Sequence, residues 1–257
     1  MSKRFFALAA LAAASLSAQA QVQLTAASLN YSQNFDTLAS SGTTGTALPP
    51  GWALFEKGTS NNVNNSYGVG DGSGNAGNTY SFGKAGSTER ALGSLRSSTL
   101  EPMFGVSFVN LAGRAIESVS IGYIGEQWRL GGTGRNDRLN FQYSTDATAL
   151  NSGTWTSVST LDFIAPKSSG ATVLDGNVAA NRSAIAGSIS GLNLAQGGNL
   201  WLRWTDPKMN PGSDDGLAID DFSFNATLAP VPEPSTYALL LAGLCAVGLM
   251  SRRRLGR

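Results

Sequence analysis

Apolar side chains recur at every second position along much of this chain, and that period points to β-structure. Leu139, Phe141 and Tyr143 alternate with Asn140, Gln142 and Ser144 and run into a Ser-Thr-Asp turn. Val119, Ile121 and Tyr123 alternate with Ser118, Ser120 and Gly122. Alternation of this kind sends one row of side chains to a core and the other to solvent, as in a half-buried strand. Residues 201–204 and 217–224 read as two late strands, and 103–111, 155–158 and 184–189 as further ones. Helical periodicity is hard to find between residues 21 and 229. Short strands separated by Gly, Ser and Asn turns predict an all-β fold, an antiparallel β-sandwich of the jelly-roll kind. Residues 58–86, rich in Gly, Asn and Ser, read as a long surface loop or an irregular hairpin.

The two ends differ from this middle. Lys3 and Arg4 precede an uncharged apolar run over residues 5–16, and Ala18 and Ala20 bracket Gln19 in the small-x-small pattern of a signal-peptide cleavage site. Residues 1–20 are therefore expected to insert as a short signal helix, with cleavage after Ala20. At the other end, Pro232, Glu233 and Pro234 precede an apolar stretch over 237–250, then Arg252, Arg253, Arg254 and Arg257. A helix over residues 235–251 would be about 26 Å long at 1.5 Å per residue. That is short for a hydrocarbon core about 30 Å thick, but workable with snorkelling flanks. The arginines place the C-terminus in the cytoplasm by the positive-inside rule, in agreement with an N-terminus sent outward.

The Pro-Glu-Pro triplet, the single short span and the terminal arginines resemble the PEP-CTERM sorting signal of Gram-negative bacteria. The resemblance implies that a membrane-embedded exosortase recognises Pro232, Glu233 and Pro234 at the inner membrane. It also implies processing of the tail, a destination at the cell surface or in the extracellular matrix, and an association with extracellular polysaccharide. It covers residues 230–257 and leaves the chemistry of residues 21–229, the expected sandwich domain, open.

Composition narrows that chemistry. Lys3, Arg4 and the four terminal arginines are set aside from 18 basic residues, and Glu233 from 17 acidic ones. The remainder carries a net charge of about −4, which argues against nucleic acid as a partner. The chain has no histidine, which removes imidazole catalysis and most zinc sites. Its one cysteine, Cys245, falls in the expected membrane span, so the exported domain has no disulfide.

Carboxylates and oxygen-ligand metals remain. Asp214 and Asp215 read as solvated loop acids. Asp220 and Asp221 fall inside a predicted strand, between Ile219 and Phe222, so one of them is expected near the core side, where an unpaired carboxylate is costly. An EF-hand counted from Asp71 would put Phe82 where a bidentate glutamate is required, so that stretch reads as turns. Glu101, Glu117 and Glu126 lie on different segments, which gives a glycosidase pair no local signature. Of Trp52, Trp128, Trp155, Trp201 and Trp204, most are expected in the core. Trp128, beside Gln127 and Arg129 in a glycine-flanked stretch, is the candidate for an exposed ring that contacts carbohydrate.

Several segments together resemble secreted jelly-roll domains of the MAM or laminin-G-like type. These are Asn34-Phe35-Asp36, residues 48–52, 89–94 and 142–146 with Trp155 beyond, and the closing run 216–222. Unlike MAM domains the chain lacks cysteines, so only the fold carries over. In such domains the first and last strands often share a cation, which implies a structural calcium ion (Ca2+) held by Asp36 with Asp220 or Asp221. The reading is a non-catalytic surface or matrix protein, sorted by exosortase and associated with exopolysaccharide. Two alternatives stand beside it: a carbohydrate-binding module, and a carboxylate-dependent glycan hydrolase.

Overall fold

The structure is a computed structural model that describes residues 20–209 and 212–231. The signal helix with Ala18, the triplet Pro232, Glu233 and Pro234, and the expected membrane span lie outside those residues. Among the described residues no helix is long and apolar enough to cross a membrane.

The described chain is all-β and forms two packed sheets. The seven-stranded sheet is centred on β8 (Leu100–Leu111). One edge of β8 carries β1 (Val22–Thr25) and β4 (Trp52–Gly58) in succession, and the other pairs with β14 (Asn199–Thr205). Beyond β14 comes β10 (Arg138–Ser144), which is edged by the two-residue strands β11 (Thr156–Ser157) and β12 (Phe163–Ile164).

The eight-stranded sheet begins with β13 (Arg182–Leu194), β9 (Ile116–Arg129) and β15 (Gly216–Leu228). The first half of β15 pairs with β7 (Ala91–Leu95) and the second half with β2 (Asn30–Gln33). From β7 the sheet continues through β6 (Asn78–Phe82) and β5 (Tyr67–Gly70) to β3 (Thr44–Gly45).

The alternating runs behave as their pattern requires. Leu139 and Phe141 of β10, and Val119, Ile121 and Tyr123 of β9, are buried between the sheets. An aromatic cluster fills the middle. The Trp204 indole stacks on Trp52 at 5.9 Å and on Phe104 at 5.9 Å, while the Phe222 ring meets Trp52 edge-on at 5.3 Å. Such rings bury large apolar areas, which holds a domain that has no disulfide.

Three expectations need correction. The sandwich is not wholly antiparallel, because β1 runs parallel to β8 and β5 parallel to β6. Residues 58–86 are neither one loop nor a hairpin, since they contain β5 and β6, which pair in parallel. The glycines that suggested a loop instead let the backbone approach other groups closely: a Cβ on Gly68 would collide with the Tyr80 ring. Around Trp155 only Thr156 and Ser157 pair, and both are exposed.

Candidate functional site

The site is organised by a β-bulge in β15. Asp220 pairs with Ile124 and Ser223 with Gly122, so Asp221 and Phe222 together face the single residue Tyr123. The extra residue takes a left-handed conformation, with φ +48° at Asp221. A one-residue insertion reverses which parity points inward. Before the bulge Leu217 and Ile219 enter the main core, and after it Phe222, Phe224 and Ala226 do. The expected carboxylate on the core side is therefore absent. Asp220 lies on the outer face, buried at 6 % exposure, and Asp221 is exposed beside it. The Asp221 backbone N–H donates to Asp220 Oδ1 at 2.7 Å.

The bulge divides the outer face of this sheet into two halves. Over the first half of β15 the face is covered. Tyr80 stacks on Phe82 at 4.9 Å, and Phe82 on Trp128 at 6.0 Å with the planes 5° apart. Ala91, Leu95 and Ala218 complete this second apolar cluster. Residues 172–178 form a strap across it. Leu130 N–H donates to Thr172 O at 2.8 Å, Leu174 N–H to Trp128 O at 3.0 Å, and Lys84 pairs with Asp175 at 2.7 Å. Gly176 lies so close to Trp128 that a Cβ there would run into the indole nitrogen. Trp128 is therefore 1 % exposed and presents no face for a sugar. Its polar neighbours Gln127 and Arg129 are themselves engaged, Gln127 with Asp215 at 2.7 Å and Arg129 with Gly72 O at 3.1 Å. The partly exposed tryptophan is Trp155, covered on one side by the Arg203 guanidinium at 3.8 Å.

Under the edge of this roof three acids converge. Glu126 lies opposite Ala218 across the β9–β15 ladder, and Asp220 follows Ala218 on the same face. Glu89 arrives from the loop into β7, and one carboxylate oxygen from each of the three lies within 4.8 Å of the others. Glu126 is completely buried, and its Oε2 accepts the Trp128 indole N–H at 2.9 Å. The Asn177 amide of the strap donates to Glu89. Burial pushes the Glu126 carboxyl up to about 7 against the pull of that indole. Burial, with Glu126 and Asp221 adding like charge, holds Asp220 well above the usual carboxylate range.

Of the residues assigned to a metal by sequence, only Asp220 belongs to this trio. Asp36 instead accepts the Arg90 backbone N–H at 3.3 Å and the Asn34 amide at 2.6 Å. It thus braces the residue next to Glu89 rather than joining the cluster. Glu89 and Glu126 carry no local motif. The run Glu126-Gln127-Trp128 reads as polar, and nothing local marks Glu126 as buried.

A separate set of acids lies at one end of the sandwich. Asp214 and Asp215 are buried rather than solvated. Asp215 accepts from Gly131 N–H at 2.7 Å and from the Gln127 amide at 2.7 Å. Asp137 accepts from Asp215 N–H at 2.8 Å and pairs with Arg135 at 3.0 Å. Asp206 accepts the Ser94 hydroxyl at 2.9 Å, and its other oxygen is buried without a partner. The Asp215 and Asp137 contacts pin the turn before β15 to the segment after β9, and Asp206 ties the end of β14 to β7.

Beyond the bulge the outer face is open. The second half of β15 lies between β2 and β9, and the exposed residues Asn30, Ser32, Ser120, Ala186, Ser223 and Asn225 line a groove of about 720 Å³. None of its lining residues is charged. A second cleft of about 660 Å³ lies among the glycines beside Tyr80, with Asp71 as its single acid.

Residues 230–254 match the PEP-CTERM protein-sorting motif. That signal marks the chain for export across the inner membrane and processing of its C-terminal tail, which makes it a cell-surface or extracellular protein and an exosortase substrate. No curated protein matches the chain. Among solved structures it is similar to the CBM22-1 xylan-binding domain from Paenibacillus barcinonensis Xyn10C. The identity is 14 %, over 78 % of this chain and 95 % of that one, with a TM-score of 0.37. It is also similar to TmCBM27, a mannan-recognising carbohydrate-binding module, at 11 % identity over 77 % and 96 %, with a TM-score of 0.36. A family 35 carbohydrate-binding module from Clostridium thermocellum is 12 % identical over 58 % and 85 %, with a TM-score of 0.28. At TM-scores this low the likeness assigns this chain neither a fold family nor a ligand.

Proposed function

We propose that this protein is a non-catalytic component of the cell surface or matrix that associates with extracellular polysaccharide through the open half of its eight-stranded sheet. The observation that carries the reading is the lining of the 720 Å³ groove, built from hydroxyls, amides and small side chains with no charge. Such a bed offers donors and acceptors to a neutral, hydroxyl-rich polymer at no cost in buried charge. Glycan hydrolysis needs two carboxylates about 5–10 Å apart across an accessible bond. The groove holds no acid, the cleft beside Tyr80 holds only Asp71, and Glu126 and Asp220 are roofed over.

Affinity electrophoresis of the purified protein through gels containing neutral or acidic polysaccharides tests the reading. Retardation by a neutral polymer is expected, with its loss in Ser223→Trp, which fills the groove. Unretarded migration in every gel, or retardation that Ser223→Trp leaves intact, would count against it. Release of reducing ends that one Asp or Glu substitution abolishes would make the protein an enzyme instead.

A further inference from the structure

Glu89, Glu126 and Asp220 form a carboxylate cluster that has no counter-charge in contact among the described residues. Glu126 is 0 % exposed, and while its Oε2 takes the Trp128 N–H, its Oε1 is shielded from water and has no hydrogen-bond partner. The carboxylate faces the other two acids, with its ligand oxygen within 4.8 Å of theirs. Arg182 stands directly across from Glu126 on β13. Among the described residues no basic side chain forms an ion pair with any of the three acids. Lys84 is committed to Asp175, and Arg90 to Ser81 and neighbouring backbone carbonyls. Three acids in a water-poor corner, one with an orphaned oxygen, need a positive charge that the described residues do not bring into contact.

We propose that this corner is a calcium site whose protein ligands are Glu89, Glu126 and Asp220. The donors are all hard oxygens, which suits calcium or magnesium and excludes the softer metals that favour nitrogen or sulfur. A separation of up to 4.8 Å lies within the span of two oxygens on opposite sides of a calcium ion at about 2.3–2.6 Å each. Magnesium demands near-ideal octahedral geometry and keeps several waters, which a buried and irregular corner does not favour. Calcium accepts backbone carbonyls and single waters as its remaining ligands.

The ion would join the loop into β7, the last part of β9 and the bulge of β15, and through the Asn177–Glu89 contact it would fasten the strap. This assignment keeps the calcium that the closing Asp-Asp pair suggests but gives it a different ligand set. It does not rest on the polysaccharide reading, because the groove and the cluster share no residue.

Terbium, which replaces calcium, tests the assignment in the intact protein. Trp128 touches Glu126, so excitation of tryptophan should sensitise terbium emission, and calcium should quench it by competition. Glu126→Gln should abolish both the emission and the calcium-dependent rise in unfolding temperature, while Asp36→Asn keeps both. Asp220→Asn, checked for native fold by circular dichroism, should repeat the loss. In Trp128→Phe the emission should collapse while the thermal response to calcium persists. Absence of emission together with identical unfolding temperatures in calcium and in chelator would overturn the proposal. A response that survives both Glu126→Gln and Asp220→Asn would do the same. Loss of the response in Asp36→Asn alone would return the ion to Asp36.

Discussion

Trp128 donates its indole N–H to Glu126, two residues back on the same face of β9, at 2.9 Å. Each residue explains the other's position. A fully buried carboxylate needs donors, and a buried indole N–H needs an acceptor. Trp128→Phe keeps a ring to stack on Phe82 but leaves Glu126 without this donor. The expected cost is about 1–3 kcal/mol, the usual penalty for an unsatisfied buried polar group. Urea unfolding should show a lower midpoint with an unchanged slope. An unchanged midpoint would mean that the indole bond contributes nothing.

The bulge makes a backbone prediction. Asp221 holds φ +48° with its side chain in solvent, so the conformation rather than a contact determines which residues are tolerated. Asp221→Gly should be neutral or stabilising by up to about 1 kcal/mol, whereas Asp221→Val should cost about 1–3 kcal/mol because a β-branched residue is strained there. Equal unfolding temperatures for the two variants would show that the bulge relaxes on substitution.

Acid should stabilise the turn that precedes β15. Burial, reinforced by Asp137 and Asp214, holds Asp206 well above the usual carboxylate range, and burial raises Asp215 to about 6. A carboxyl whose folded pKa exceeds its unfolded value of about 3.9 binds more protons in the native state. Its favourable contribution is complete below about pH 4 and is lost as pH rises through the folded value. Asp206→Asn removes the titration while leaving an acceptor for the Ser94 hydroxyl. It should raise stability by about 1–3 kcal/mol at pH 7 and by little near pH 4. Denaturant midpoints for both proteins across that range provide the check, and a constant difference between them would contradict the sign.

Processing of the tail makes a prediction about mass. Protein recovered from the cell surface should lack residues 237–257. A terminal arginine cluster retained in the intact mass would mean that the span remains as an anchor.

The sequence alone determined the class of fold, because alternation is a local property of the backbone. In β10 and the first part of β9 the apolar rows are legible from neighbouring positions, and burial follows them. The sorting signal is legible for the same reason, since its triplet, apolar run and arginines are contiguous. Trp128 is different. Its position at an outward site beside Gln127 and Arg129 has the pattern of exposure, and residues distant in sequence bury it, Phe82 by stacking and the strap at residues 172–178 by crossing over. The metal ligands diverge in the same way. Local order favours Asp220 with its neighbour Asp221, but a single left-handed residue sends Asp221 into solvent and turns Asp220 toward Glu89 and Glu126. Which acids share a corner depends on strand register, on one bulge and on a distant loop that closes over them. Those are long-range relations, and only the tertiary structure decided them.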